Sequence, residues 1–123
     1  MEKLEHIGIA VRSVDKANDV FSQLLGTSHY KTEVVESEGV RTSFFQLGGV
    51  KLEFLEATRE DSPIAKFIEK RGEGIHHLAF EVPTLAEVIR ARDRLRAHNA
   101  KIDFEGRRRA GCQEGAVEEG GTG

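Results

Sequence analysis

The chain lacks most of the features from which a function is commonly read. It has two prolines and a single cysteine, Cys112, in 123 residues. One thiol cannot form an internal disulfide, and this one stands in a glycine-rich stretch, so it reads as a plain free thiol rather than a nucleophile. No apolar run is long enough to span a bilayer, and the charged opening Met1-Glu2-Lys3-Leu4-Glu5 leads straight into a strand-like stretch. The expectation is a cytoplasmic protein with no membrane partner. Charge of one sign is missing too: 18 Lys and Arg stand against 21 Asp and Glu, and a formal charge of −3 argues against nucleic acid or an anionic surface as a partner. There is no glycine-rich phosphate loop, no CxxC pair and no GxSxG, so nucleophilic catalysis by Ser or Cys has no support.

What the chain does have is strong periodicity in a length that suits one domain, with 38% hydrophobic residues. Residues 6–11, HIGIAV, put Ile7, Ile9 and Val11 on one face of a strand and His6, Gly8 and Ala10 on the other. Ser13 caps a helix to about Leu25 with Val14, Ala17, Val20, Phe21 and Leu24 at helical spacing, and Gly26 ends it. Strands follow over about 30–36, 40–47 and 50–56, separated by turns at Glu36 to Gly39 and at Gly48-Gly49. Ser62-Pro63 then opens a short helix with Ile64, Phe67 and Ile68, ending near Gly72.

At residue 76 the opening pattern returns. HHLAFEV reads as a strand, and Thr84 with Glu87 forms a capping box for a helix carrying Leu85, Val88, Ile89 and Leu95. An offset of 71 sets His6 on His77, Gly8 on Ala79, Val11 on Val82, Ser13 on Thr84 and Leu24 on Leu95 without a gap. Similarity sustained through a strand, a cap and a helix indicates internal duplication. The second copy then fails: Lys101 to Phe104 offers one strand, but residues 105–123 hold six glycines and no Leu, Ile or Phe. Such a segment buries too little apolar surface to offset its ordering entropy. The expected organisation is therefore module one at 4–57, a helical linker at 58–74, a partial module two at 75–104 and a disordered tail at 105–123.

Alternation places Lys51, Glu53 and Leu55 on one face of their strand, and His77, Ala79 and Glu81 on one face of theirs, opposite His76. Two imidazoles and a carboxylate from three strands can bind a divalent first-row metal and leave positions open for water or substrate. A lone strand histidine is more often structural; the matched positions of His6 and His77 in a duplicated unit favour ligation. Arg90, Arg92, Arg94 and Arg96 beside Glu87 and Asp93 read as a solvated, partly ion-paired helix face, and Arg107 to Arg109 as part of the tail.

HIGIAV, GGVKLEFLE and above all EDSPIAKFIEKRGEGIHHLAFEV at 60–82 resemble the methylmalonyl-CoA epimerases, of the vicinal oxygen chelate superfamily that includes glyoxalase, bleomycin resistance proteins and dioxygenases. The likeness covers about residues 4–106. It implies an α+β fold of paired βαβββ modules curled around a metal, with the second module incomplete here, in a homodimer. It implies His6, Glu53 and His77 as metal ligands, and an acyl-CoA substrate. The implied ion is Co(II), with Mn(II), Zn(II) or Ni(II) as alternatives. The family's fourth ligand, a glutamate in the last strand, has no counterpart, since the position matching Glu53 is 124 and the C-terminus reads as truncated or altered. Some epimerases carry a catalytic glutamate where this chain has Thr42, which cannot act as a base and at most lines the substrate pocket. No catalytic acid or base is assigned.

The implied activity is interconversion of 2R and 2S methylmalonyl-CoA by proton abstraction and enolate stabilisation, impaired if the missing strands matter. The alternatives are a glyoxalase-like lyase or another metal enzyme of the superfamily, or a non-catalytic small-molecule-binding domain.

Overall fold

The computed structural model describes residues 3–95, 101–109 and 112–118. Its elements run β1 (Lys3–Ala10), α1 (Val14–Leu25), β2 (Lys31–Val35), β3 (Val40–Leu47), β4 (Val50–Ala57), α2 (Pro63–Arg71), β5 (Gly74–Val82), α3 (Leu85–Leu95), β6 (Lys101–Arg109) and β7 (Cys112–Glu118). The fold is α+β, and the element order of the first half, βαβββ, is repeated through βαββ in the second.

Local chemistry sets the helix ends. The Ser13 side chain accepts from the Lys16 amide, and Gly26 closes α1 at φ 70°, a conformation glycine adopts without Cβ strain. Glu56 adds a carboxylate at the same N-terminus, accepting from the Val14 amide at 2.7 Å. Buried Ser62 accepts from the Ile64 amide at 3.1 Å, with Pro63 in the first turn of α2. Thr84 Oγ1 accepts from the Glu87 amide at 3.2 Å at the start of α3.

The strands form one sheet in the order β2-β3-β4-β1-β5-β7-β6. At its centre β1 lies parallel to β4 and antiparallel to β5. Alternation then divides the apolar residues between two faces. Val11, Phe45, Leu52 and Phe54 pack with Val14 and Ala17 of α1, while Ala10 and Leu55 pack with Ile64 of α2, and Phe67 and Ile68 lie against them. Two residues expected in the α1 stripe, Val20 and Leu24, are exposed, as are Leu85 and Ile89 of α3. Each helix meets the core along a narrower seam, through Val14, Ala17 and Phe21 in α1 and through Val88 and Ala91 in α3.

Two irregularities in the β1–β5 pairing position the site. Leu4 pairs with Phe80 and His6 with Ala79, so Glu5 is an extra residue on β1. Gly8 pairs with His77 and Ile9 with Ile75, so His76 is an extra residue on β5. Each is a β-bulge, and each falls immediately before a histidine of the repeat: Glu5 and His76 are themselves related by the offset of 71.

The expected disordered tail is corrected where the backbone is described. β6 begins at Lys101 as expected but runs on through 105–109, residues 112–118 form a further strand, β6 and β7 pair with each other, and β7 pairs antiparallel with β5. Strand pairing satisfies backbone donors and acceptors at the open edge of β5 and needs no apolar side chain to do so. Residues 110–111 and 119–123 of that expectation lie outside the described residues. In the first half the neighbour of β1 is β4, parallel; in the second, the corresponding neighbour of β5 is β7, antiparallel.

Gly8 lies between the Glu53 and His77 register positions, and any Cβ there would overlap the His77 ring. Gly8→Val is therefore expected to destabilise the protein by about 1–3 kcal/mol, the usual cost of overpacking. The change is read from the urea midpoint at constant m-value; an unchanged midpoint means the imidazole does not lie over Gly8.

Candidate metal centre

His6, Glu53 and His77 come together as the sequence expects. Gly8 is the shared register point: it pairs with Glu53 on β4 and with His77 on β5, while His6 lies two residues back along β1 on the same face. One ligand atom from each of the three residues lies within 4.8 Å of the others. His6 Nε2 and His77 Nε2 are 3.0 Å apart, and the rings meet edge to face at a centroid distance of 5.1 Å. Two nitrogens each about 2.1 Å from a first-row ion, at right angles, would be separated by about 3.0 Å. Two imidazoles at that spacing with a carboxylate beside them fit a divalent metal.

Each histidine is backed on its Nδ1 side by its bulged neighbour. Glu5 Oε1 lies 2.7 Å from His6 Nδ1, and His76 Nδ1 lies 2.9 Å from His77 Nδ1. Glu53 Oε2 also approaches His6 Nδ1, at 3.2 Å. The second Glu5 oxygen, Oε2, meets Lys51 Nζ at 3.1 Å, and Glu5 is 5% exposed. His76 packs its ring against Phe67 of α2 at 5.0 Å, edge to face.

Electrostatics follow from this crowding. Burial, together with positive charge on His6 and His76, pushes the His77 pKa down to about 4, so the imidazole is neutral and able to ligate at neutral pH. For Glu5, burial acts to raise the pKa, but hydrogen bonds from His6 and Lys51 outweigh it and hold the carboxyl below the usual range.

Thr42 is buried on β3, paired with Leu55 of β4, while Phe44 pairs with Glu53. It therefore shares the face of the centre, two residues along from Glu53. β7 meets β5 in an antiparallel pair, with Ala116 opposite Ala79, whereas Glu53 stands opposite Gly8 in a parallel one.

Sequence reasoning missed Glu5 and the placement of His76. Strict alternation sends Glu5 to the face opposite His6, and His76 to the face opposite His77; the two bulges suspend alternation there. The one available signal was that the residue before each repeated histidine is itself polar.

The chain matches the glyoxalase/bleomycin resistance protein/dioxygenase superfamily over residues 5–115. It is 44% identical over 91 residues to the uncharacterized protein YqjC of Bacillus subtilis, covering 74% of this chain and 65% of that one. It is 34% identical over 111 residues to the ethylmalonyl-CoA/methylmalonyl-CoA epimerase of Cereibacter sphaeroides, covering 89% of this chain and 81% of that one. A variant of the Streptomyces coelicolor methylmalonyl-CoA epimerase, in complex with 2-nitronate-propionyl-CoA, superposes with a TM-score of 0.71 at 33% identity, covering 89% of this chain and 79% of that one. The chain spans just under two thirds of the length of YqjC. It belongs to the glyoxalase/bleomycin resistance protein/dioxygenase superfamily, within which its relatives and structural neighbours include methylmalonyl-CoA epimerases.

Proposed function

We propose that this chain is a metal-dependent epimerase that interconverts the 2R and 2S forms of methylmalonyl-CoA. The observation that carries the reading is the meeting of His6, Glu53 and His77 on one sheet face, in a chain whose relatives include methylmalonyl-CoA epimerases. We further propose Co(II) as the ion, with Mn(II), Zn(II) and Ni(II) as competitors for the same donors. A homodimer working in the cytoplasm completes the reading. Among the described residues no helix is long and apolar enough to cross a membrane.

The substrate carries an acidic C2–H between a thioester and a carboxylate. Bound by His6, Glu53 and His77, the ion would supply positive charge for the oxygens that gain electron density as that proton leaves. The chain's own contribution is positional. His77 is held neutral by burial, and Gly8 leaves room for its ring over β1. Thr42 offers a hydroxyl on the same face, suited to a hydrogen bond with substrate and not to proton abstraction at neutral pH. Inversion requires the C2 proton to leave from one face and a solvent-exchangeable proton to arrive at the other. Thr42, which cannot act as a base, favours a second reading, a small-molecule-binding domain without catalysis.

Proton NMR of the methylmalonyl thioester in deuterated buffer separates the two. Epimerisation predicts solvent deuterium at C2 with Co(II)-loaded protein and its loss in His77→Ala, at least 100-fold slower. No exchange with Co(II), Mn(II), Zn(II) or Ni(II) leaves the binding-domain reading standing.

The depressed His77 pKa also has a signed consequence for stability. Between about pH 6.5 and 4 the unfolded chain takes up a proton at residue 77 that the folded chain refuses. Metal-free protein should therefore lose stability progressively as pH falls through that window. Urea midpoints at pH 7 and pH 4.5 measure it, and His77→Gln should flatten the difference; an equal slope in the variant means another group is responsible.

A further inference from the structure

The centre contains a buried carboxylate that is not needed as a ligand. Glu5 reaches the site only because of the bulge on β1, and both its oxygens are used: Oε1 at 2.7 Å from His6 Nδ1 and Oε2 at 3.1 Å from Lys51 Nζ. An ionised carboxylate can only accept, so the hydrogen at the 2.7 Å contact belongs to His6 Nδ1. That leaves His6 Nε2 without a proton, and Nε2 is the nitrogen 3.0 Å from His77 Nε2. Lys51 belongs to β4, two residues before Glu53, and His6 pairs with it in register. The strand that carries the carboxylate ligand therefore also carries the cation that secures Glu5.

Building on the metal reading above, we propose that Glu5, clamped by Lys51, is the positioning residue of the centre: it fixes His6 as the Nδ1–H tautomer with Nε2 aimed at the ion. The bulge before His77 repeats the arrangement with a different residue type, placing His76 behind the second imidazole. The duplicated unit thus carries a duplicated device, one extra residue before each ligand, turned to that ligand's Nδ1. Of the two, Glu5 is the partner with only one possible role in its hydrogen bond, so it sets the direction of donation for the rest. In the metal-free protein the His6 Nε2 lone pair then accepts from His77 Nε2–H, and that proton must leave Nε2 when an ion is bound.

Two measurements test this. Nitrogen-15 NMR of the metal-free protein near pH 7.5 should find His6 in the Nδ1–H form; a predominant Nε2–H form overturns the proposal regardless of any variant. Competition against a chelator then compares Co(II) affinity in the wild type, Glu5→Gln, and Glu5→Gln with Lys51→Met, the last removing the ammonium left without its carboxylate should the single variant unfold. A 10- to 100-fold weaker Kd is expected in the folded variant, as for partners behind other metal-bound histidines; a Kd within twofold of wild type overturns the proposal. Wild-type protein that binds no divalent ion would instead refute the metal reading, and the tautomer measurement would still decide the role of Glu5.

Discussion

Everything proposed for this protein depends on the antiparallel pairing of β1 with β5, which brings two imidazoles Nε2 to Nε2 at 3.0 Å. The pairing joins the two copies of the repeated unit, so the histidine that opens each copy meets its counterpart where the copies join. Parallel pairing of β1 with β4 then carries Glu53 to the Gly8 register position beside them. Three donors arrive from strands far apart in sequence because a single sheet runs through both halves. The glycine at the crossing is a steric requirement, since the His77 ring occupies the space a side chain would take.

The site is also an electrostatic compromise. Burial disfavours a charge on His77, and the neighbouring imidazoles add repulsion, so His77 stays neutral well into the acid range. The negative charge of Glu5 is the countering element, itself tolerable in a buried position because His6 and Lys51 both meet it. The bulges let Glu5 and His76 reach the centre while His6 and His77 keep their places on its face.

Much of this was legible from residue order. Ser13, Gly26 and Ser62-Pro63 marked helix ends where the caps are found, because capping is local chemistry. His6, Glu53 and His77 were recoverable from alternation joined to the repeat, because both follow from backbone geometry with fixed periods. Glu5 and His76 were not, because a bulge is a property of strand pairing and leaves no periodic trace in either strand alone. The strand expected at Lys101 to Phe104 is there, but its continuation to Arg109 and the strand at 112–118 were missed for a related reason: their sequence gives little apolar signal, while the pairing is set by the backbone of β5. The exposure of Val20 and Leu24 shows the opposite failure, apolar spacing read as core where the helix meets the sheet along a narrower seam.

The central claim is that His6, Glu53 and His77 together hold one divalent ion. The most direct measurement is a crystal structure of the Co(II)-loaded protein with diffraction recorded on both sides of the cobalt absorption edge. A single anomalous peak per chain is expected, about 2.0–2.2 Å from His6 Nε2, His77 Nε2 and a Glu53 carboxylate oxygen. An anomalous peak elsewhere, or loaded protein in which either histidine remains unligated, would contradict it.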